Sequence, residues 1–203
     1  MSMSKVKTVV SGESYTYEIL WSCCRRQVEL AKTKEDGKMY FLLTSMSMAY
    51  FAYEAYLNHA LHKVAPDIYQ VERTYFSDPD YYGTPGKLKK LCELASLDFP
   101  DASRRPYQSI KILQKLRDSV AHGKPDPFEV TVKHKVGENP AVIPSSFERI
   151  VSETNAEKCI ADLEEFIKWL NQGLVRKFDS EGLLSHPLMG FLGHSNADFV
   201  EEP

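Results

Sequence analysis

The residues best suited to chemistry stand in one short run, Leu116-Arg117-Asp118-Ser119-Val120-Ala121-His122-Gly123. An arginine presents a fixed fork of N–H donors that fits phosphate oxygens. A histidine changes charge near neutral pH, so it can take and return protons. Arg117 and His122 are therefore a candidate pair for phosphate chemistry, with Asp118 placed to orient or polarise them. The same run has a plain structural reading. Cations are favoured in the last turn of any helix by about 0.3–1 kcal/mol, and Arg, His and then Gly is an ordinary helix ending. Geometry adds a condition. Five residues of an ideal helix rotate by about 500°, which leaves Arg117 and His122 roughly 140° apart.

A second set lies upstream. Glu54 interrupts an otherwise apolar stretch, with Asn58 one turn on and Ser47 two turns back. The three form a polar stripe along one helix face. A buried carboxylate needs a partner. Glu54 is therefore expected to face Arg117 or another arginine and to order the site. The alternatives are a structural salt bridge or a solvent-facing strip. His59 and His62 stand three apart near the same helix end. A metal pair is conceivable, but exposed polar residues are the simpler reading. No metal site and no cofactor are expected.

Helices must position these groups. Residues 14–35 read as a helix closed by Gly37. Residues 38–64 form the most apolar helix, with Phe41, Leu42, Met46, Ala49, Tyr50, Tyr53, Leu57 and Leu61 at helical spacing. Apolar residues on its other faces mark it as central or interfacial. Residues 67–86 read as a helical turn and then a loop. A short helix follows from Lys87 to Ser96. Tyr107 to His122 is the next helix, with Pro106 suited to its start and Gly123 to the position past its end. The run FEVTVKHKV alternates Phe128, Val130, Val132 and His134 with polar residues, which reads as a half-buried strand. Residues 141–143 could complete a hairpin. Thr154 with Glu157 resembles a capping box opening a helix to about Phe178. The tail from Gly182 to Phe199 is apolar with almost no charge; it either folds back on the body or covers a partner.

The segment LRDSVAHG resembles the signature of the HEPN superfamily: an Arg, usually followed by a polar residue, then four to six residues to a His at a helix end. Here the spacing is Arg-x4-His, with Asp118 as the polar residue. Upstream, MAYFAYEAYLNHA is similar to the long helix that precedes the signature helix in many members. The resemblance covers roughly residues 38–124, with residues 14–35 and 155–178 as bundle partners. It implies a metal-independent ribonuclease, often a toxin or a defence effector, whose two protomers bring their signature helices into one composite cleft. Other members have lost catalysis and act as dimerising or binding modules, and a nucleotide-transfer target or regulator is a third possibility in this family. The residue chemistry is compatible with RNA cleavage. The 2′-hydroxyl of RNA can attack its own phosphate if a base takes its proton, a cation steadies the phosphorus centre and an acid protonates the leaving oxygen. The products would be a 2′,3′-cyclic phosphate and a 5′-hydroxyl.

Charge is uneven. The formal net charge is −3. Residues 1–86 carry 9 basic and 10 acidic side chains, residues 87–137 carry 11 and 6, and residues 138–203 carry 5 and 12, for nets of −1, +5 and −7. The basic middle gives either a local positive face or merely solvated helix surfaces. Lys115, Lys124, Arg104 and Arg105 are its candidate RNA contacts. The four cysteines form no C-x-x-C pair, so reduced thiols are expected. The first residues, MSMSKVKTVVSGES, show no apolar core followed by a cleavage site. The uncharged stretch from Met39 to Tyr53 is too short to span a bilayer. A cytoplasmic protein away from membranes is expected. P-loop, G-x-G-x-x-G, G-x-S-x-G and H-E-x-x-H motifs are absent, which argues against the common nucleotide-binding and hydrolase classes.

The expectation is thus a mainly α, antiparallel HEPN-like bundle over residues 1–203. Residues 126–152 would be a hairpin and loop insertion, and residues 180–203 an apolar tail. The expected function is a metal-independent endoribonuclease acting as a homodimer, with RNA as substrate and an antitoxin or other protein as a possible partner. The alternative is a non-catalytic HEPN-like dimer that binds protein or nucleic acid.

Overall fold

The computed structural model describes residues 7–123, 129, 131, 133, 135–137, 146–178, 187–190 and 192–200. Among them are eight α-helices and one two-stranded antiparallel sheet. The helices are α1 (Thr16–Thr33), α2 (Lys38–Val64), α3 (Pro66–Gln70), α4 (Glu72–Tyr75), α5 (Gly83–Ala95), α6 (Tyr107–His122), α7 (Ser146–Ile150) and α8 (Glu153–Phe178). No helix among the described residues is long and apolar enough to cross a membrane.

The central position of α2 follows from its composition. It packs against α1, α5, α6 and α8, so apolar side chains on several faces all find cover. Leu42, Met46, Tyr50, Tyr53, Leu57 and Leu61 are buried within it. Tyr17 near the start of α1 meets Tyr56 near the end of α2, with ring centroids 5.7 Å apart. Farther along, Ser45 Oγ donates to the Cys24 carbonyl at 3.1 Å. These two helices therefore run antiparallel, as their short connection requires. From α8, Phe166 packs edge-on against Tyr53, and Asn171 accepts a hydrogen bond from the Tyr56 hydroxyl at 3.0 Å.

Three features differ from the sequence reading. First, α5 begins at Gly83, before the expected Lys87. Pro85 sits in its first turn, where a missing N–H costs no helical bond. Gly86 belongs there because a Cβ would come within 1.7 Å of the Tyr81 carbonyl oxygen. Second, α8 is capped by Ser152, not by Thr154. The Ser152 hydroxyl accepts from the Asn155 N–H at 3.3 Å, while Glu157 pairs outward with Lys32 at 3.1 Å. Third, the described sheet joins the two ends of the chain. Here β1 (Lys7–Ser14) pairs with β2 (Gly193–Val200), Lys7 opposite Val200 and Ser14 opposite Gly193.

The expected strand at 128–136 and its partner at 141–143 fall largely outside the described residues. Within the expected insertion, α7 is a short helix. The apolar tail folds back where it is described. Leu188 is buried, and the N–H groups of Leu188 and Gly190 both donate to the Glu18 carboxylate, the latter at 2.8 Å. Glu18 is itself fully buried, so these backbone donors satisfy a charge that would otherwise be costly. The cysteines are free thiols. Burial pushes the Cys24 thiol up to about 11 and the Cys92 thiol up to about 12.

Candidate active site

Helix α6 remains α-helical through His122 and ends at Gly123, whose φ of 53° lies in the left-handed region. This backbone closes the helix with a Gly123 N–H to Ser119 carbonyl bond of 3.1 Å. Because the helix is regular to His122, the roughly 140° between Arg117 and His122 is not relaxed by early unwinding. Arg117 turns inward against α2. His122 is exposed at the end of α6, and no described residue hydrogen-bonds its ring.

The polar stripe of α2 meets α6 and α5. Arg117 Nη2 donates to Glu54 Oε1 at 2.7 Å, and its Nη1 lies 2.9 Å from Asp118 Oδ1. The guanidinium carbon stands 5.1 Å from the Tyr50 ring centroid, over its face, a favourable place for a cation. Thr84 of α5 donates its hydroxyl to Glu54 Oε1 at 2.8 Å. One turn along, Asn58 Oδ1 accepts from Lys87 Nζ at 2.7 Å, and Lys87 also pairs with Glu72. Ser47 is buried. Of the readings open for Glu54, the solvent-facing strip does not hold: its side chain is 25% exposed and faces Arg117.

The electrostatics follow from this packing. Burial works against the Arg117 charge, but Glu54, Tyr50 and Asp118 outweigh it and hold the guanidinium pKa above its ordinary value. Burial, with Glu54 nearby, pushes the Tyr50 hydroxyl up to about 12. Arg117 Nε is buried without a hydrogen-bond partner among the described residues. An unmet donor of this kind costs about 1–3 kcal/mol and needs a specific explanation in a native structure. A guanidinium has five N–H groups. One faces Glu54, one faces Asp118 and Nε–H is buried, which leaves two for a further acceptor.

The basic set divides. Lys115 is exposed on α6. Arg104 is exposed and loosely paired with Asp101 at 3.4 Å. Arg105 instead makes a bidentate pair with Asp162 of α8, through Nε at 2.7 Å and Nη2 at 2.6 Å. Asp162 is buried and also accepts from the Ser109 hydroxyl, so Arg105 and Ser109 together tie the start of α6 to α8. Lys124 lies outside the described residues. Lys87 is held by Asn58 of α2 and Glu72 of α4, and Lys111 by Gln114 at 2.7 Å. Much of the basic excess thus serves the fold.

Sequence reasoning missed Tyr50 as part of the site, because it counted only as an apolar stripe position. It also missed Thr84, which lay in a presumed loop. His59 and His62 line a cavity with Tyr15, Tyr17 and Tyr69. Among the described residues no group of three or more His, Cys, Asp or Glu side chains could hold a metal ion. No protein-family model, curated protein or solved structure matches the chain.

Proposed function

We propose that this protein is a metal-independent endoribonuclease of HEPN type, acting as a homodimer in toxin or phage-defence biology. The observation that carries the reading is the end of α6. There an exposed His122 follows an Arg117 held in one orientation by Glu54, Asp118 and the Tyr50 face. Arg117 would bind the phosphate through its two remaining N–H groups and stabilise the extra negative charge at phosphorus. His122 would take the 2′-hydroxyl proton or return one to the leaving oxygen. Asp118, the more exposed of the two carboxylates, would polarise Arg117 and make way for phosphate. Since Arg117 and His122 diverge on one helix, a second protomer would supply the facing histidine.

One observation favours a second reading, a non-catalytic HEPN-like dimer that binds protein or nucleic acid. Arg117 already faces two carboxylates, so its charge is answered within the chain. The separating test is cleavage of a mixed RNA pool in EDTA with analysis of the new ends. The ribonuclease reading expects 2′,3′-cyclic phosphates. The binding module expects intact RNA.

A further inference from the structure

A cavity of about 410 Å³ opens between the start of α1, the C-terminal half of α2 and α3. Its size falls in the range of small-molecule sites. Five of its ten lining residues carry aromatic rings, and Glu13, paired with Lys63, adds a carboxylate. Tyr15 and Tyr17 are stacked at 5.9 Å, and the His59 ring lies 5.1 Å from Tyr15 and 5.0 Å from Tyr17. A second pair, His62 and Tyr69, stands with centroids 4.9 Å apart. Tyr15 Oη is 2.9 Å from His194 Nδ1 of β2, which fixes that ring. Asn58 adds an amide. Its oxygen is taken by Lys87, so its NH₂ is left to donate, with no partner among the described residues. The half-buried Tyr15 ring, the exposed Tyr69 ring and an amide donor together suit a flat heteroaromatic ring carrying hydrogen-bond acceptors.

Position links this cavity to the candidate active site. Asn58 belongs to both its lining and the polar stripe that holds Arg117. It lies one helical turn beyond Glu54, about 6 Å along the axis. We infer that the Tyr15–Tyr17–Asn58–His59–His62–Tyr69 cavity binds a nucleobase, that of the nucleotide flanking the phosphate held at Arg117. The flanking clause rests on the ribonuclease reading; base binding in the cavity does not. Stacking on aromatic side chains tolerates any base, and the Asn58 donor favours bases that present an acceptor.

The test is a titration of the protein with AMP and with UMP, followed by the histidine ring signals in NMR. Ribose 5-phosphate serves as the control that carries sugar and phosphate without a base. The expected result is a saturable shift of the His59 and His62 signals with both nucleotides and none with ribose 5-phosphate. Tyr69→Ala, at an exposed position, raises the Kd by about fivefold to a hundredfold, and Tyr69→Phe retains binding. Ribose 5-phosphate binding as tightly as AMP, or no shift of either ring, would overturn the inference. The two readings fail separately. Saturable AMP binding by a protein that cuts no RNA supports the base pocket and removes the ribonuclease reading.

Discussion

The contact between Glu54 and Arg117 gives the sharpest quantitative prediction. Replace Glu54 by Gln, Arg117 by Met, and both together, then measure stability by urea unfolding. Gln keeps an acceptor for Arg117 and Thr84 but removes the charge. Met keeps the stem over Tyr50 but removes the donors. The pair is 2.7 Å long, and its side chains are 25% and 27% exposed. Fully exposed pairs contribute about 0.2–1 kcal/mol, and hydrogen bonds to charged groups about 1.5–3 kcal/mol. Partial exposure places this contact between them, so Glu54→Gln should cost about 1 kcal/mol. Arg117→Met should cost about 1–2 kcal/mol, because it leaves Glu54 with Thr84 alone. Two-residue coupling in the cycle should be about 1 kcal/mol. A coupling within about 0.3 kcal/mol of zero, within the usual error of additivity, would mean that Glu54 does not hold Arg117. Unchanged cleavage by Glu54→Gln would remove its positioning role.

Three other outcomes can be checked. Burial works against the Asp162 charge, but the hydrogen bonds from Arg105 and Ser109, with the Arg105 and Lys158 charges, outweigh it and hold the carboxyl below its ordinary 3.8. A depressed carboxylate stabilises the fold above its unfolded pKa, and that contribution is lost as pH falls through the folded value. Asp162→Asn should therefore cost about 1–3 kcal/mol near neutral pH, with the gap to wild type closing below about pH 4; a gap that stays constant with pH would contradict the assignment. RNA binding should weaken with salt, and Lys115→Ala should flatten the slope by about 0.7 per lost phosphate contact on a single strand. Arg105→Ala should mainly lower the melting temperature, because Asp162 holds that side chain; a larger loss of RNA affinity than of stability would reverse this.

The long helices were legible because their apolar periodicity is strong. In α1, α2 and α6 it gave boundaries close to those observed. The meeting of Glu54 and Arg117 was legible too, since a lone carboxylate in an apolar helix must find a cation. What local pattern could not show is tertiary. The pairing of β1 with β2 joins residues nearly the whole chain apart, and neither segment has a sharp alternation of its own. Glu18 looks like an ordinary surface glutamate, yet the returning tail buries it and supplies its donors. The α5 start was hidden by Gly83, Pro85 and Gly86, which signal a loop unless the closeness of Tyr81 is known. Arg105 read as a phosphate contact because its partner lies 57 residues away.

The most direct measurement compares wild type, Arg117→Ala and His122→Ala on a mixed RNA pool in EDTA, with circular dichroism to establish that each is folded. The account predicts cleavage by wild type alone, with cyclic-phosphate and 5′-hydroxyl ends. Intact RNA in all three reactions, or equal cleavage by wild type and both variants, would contradict it.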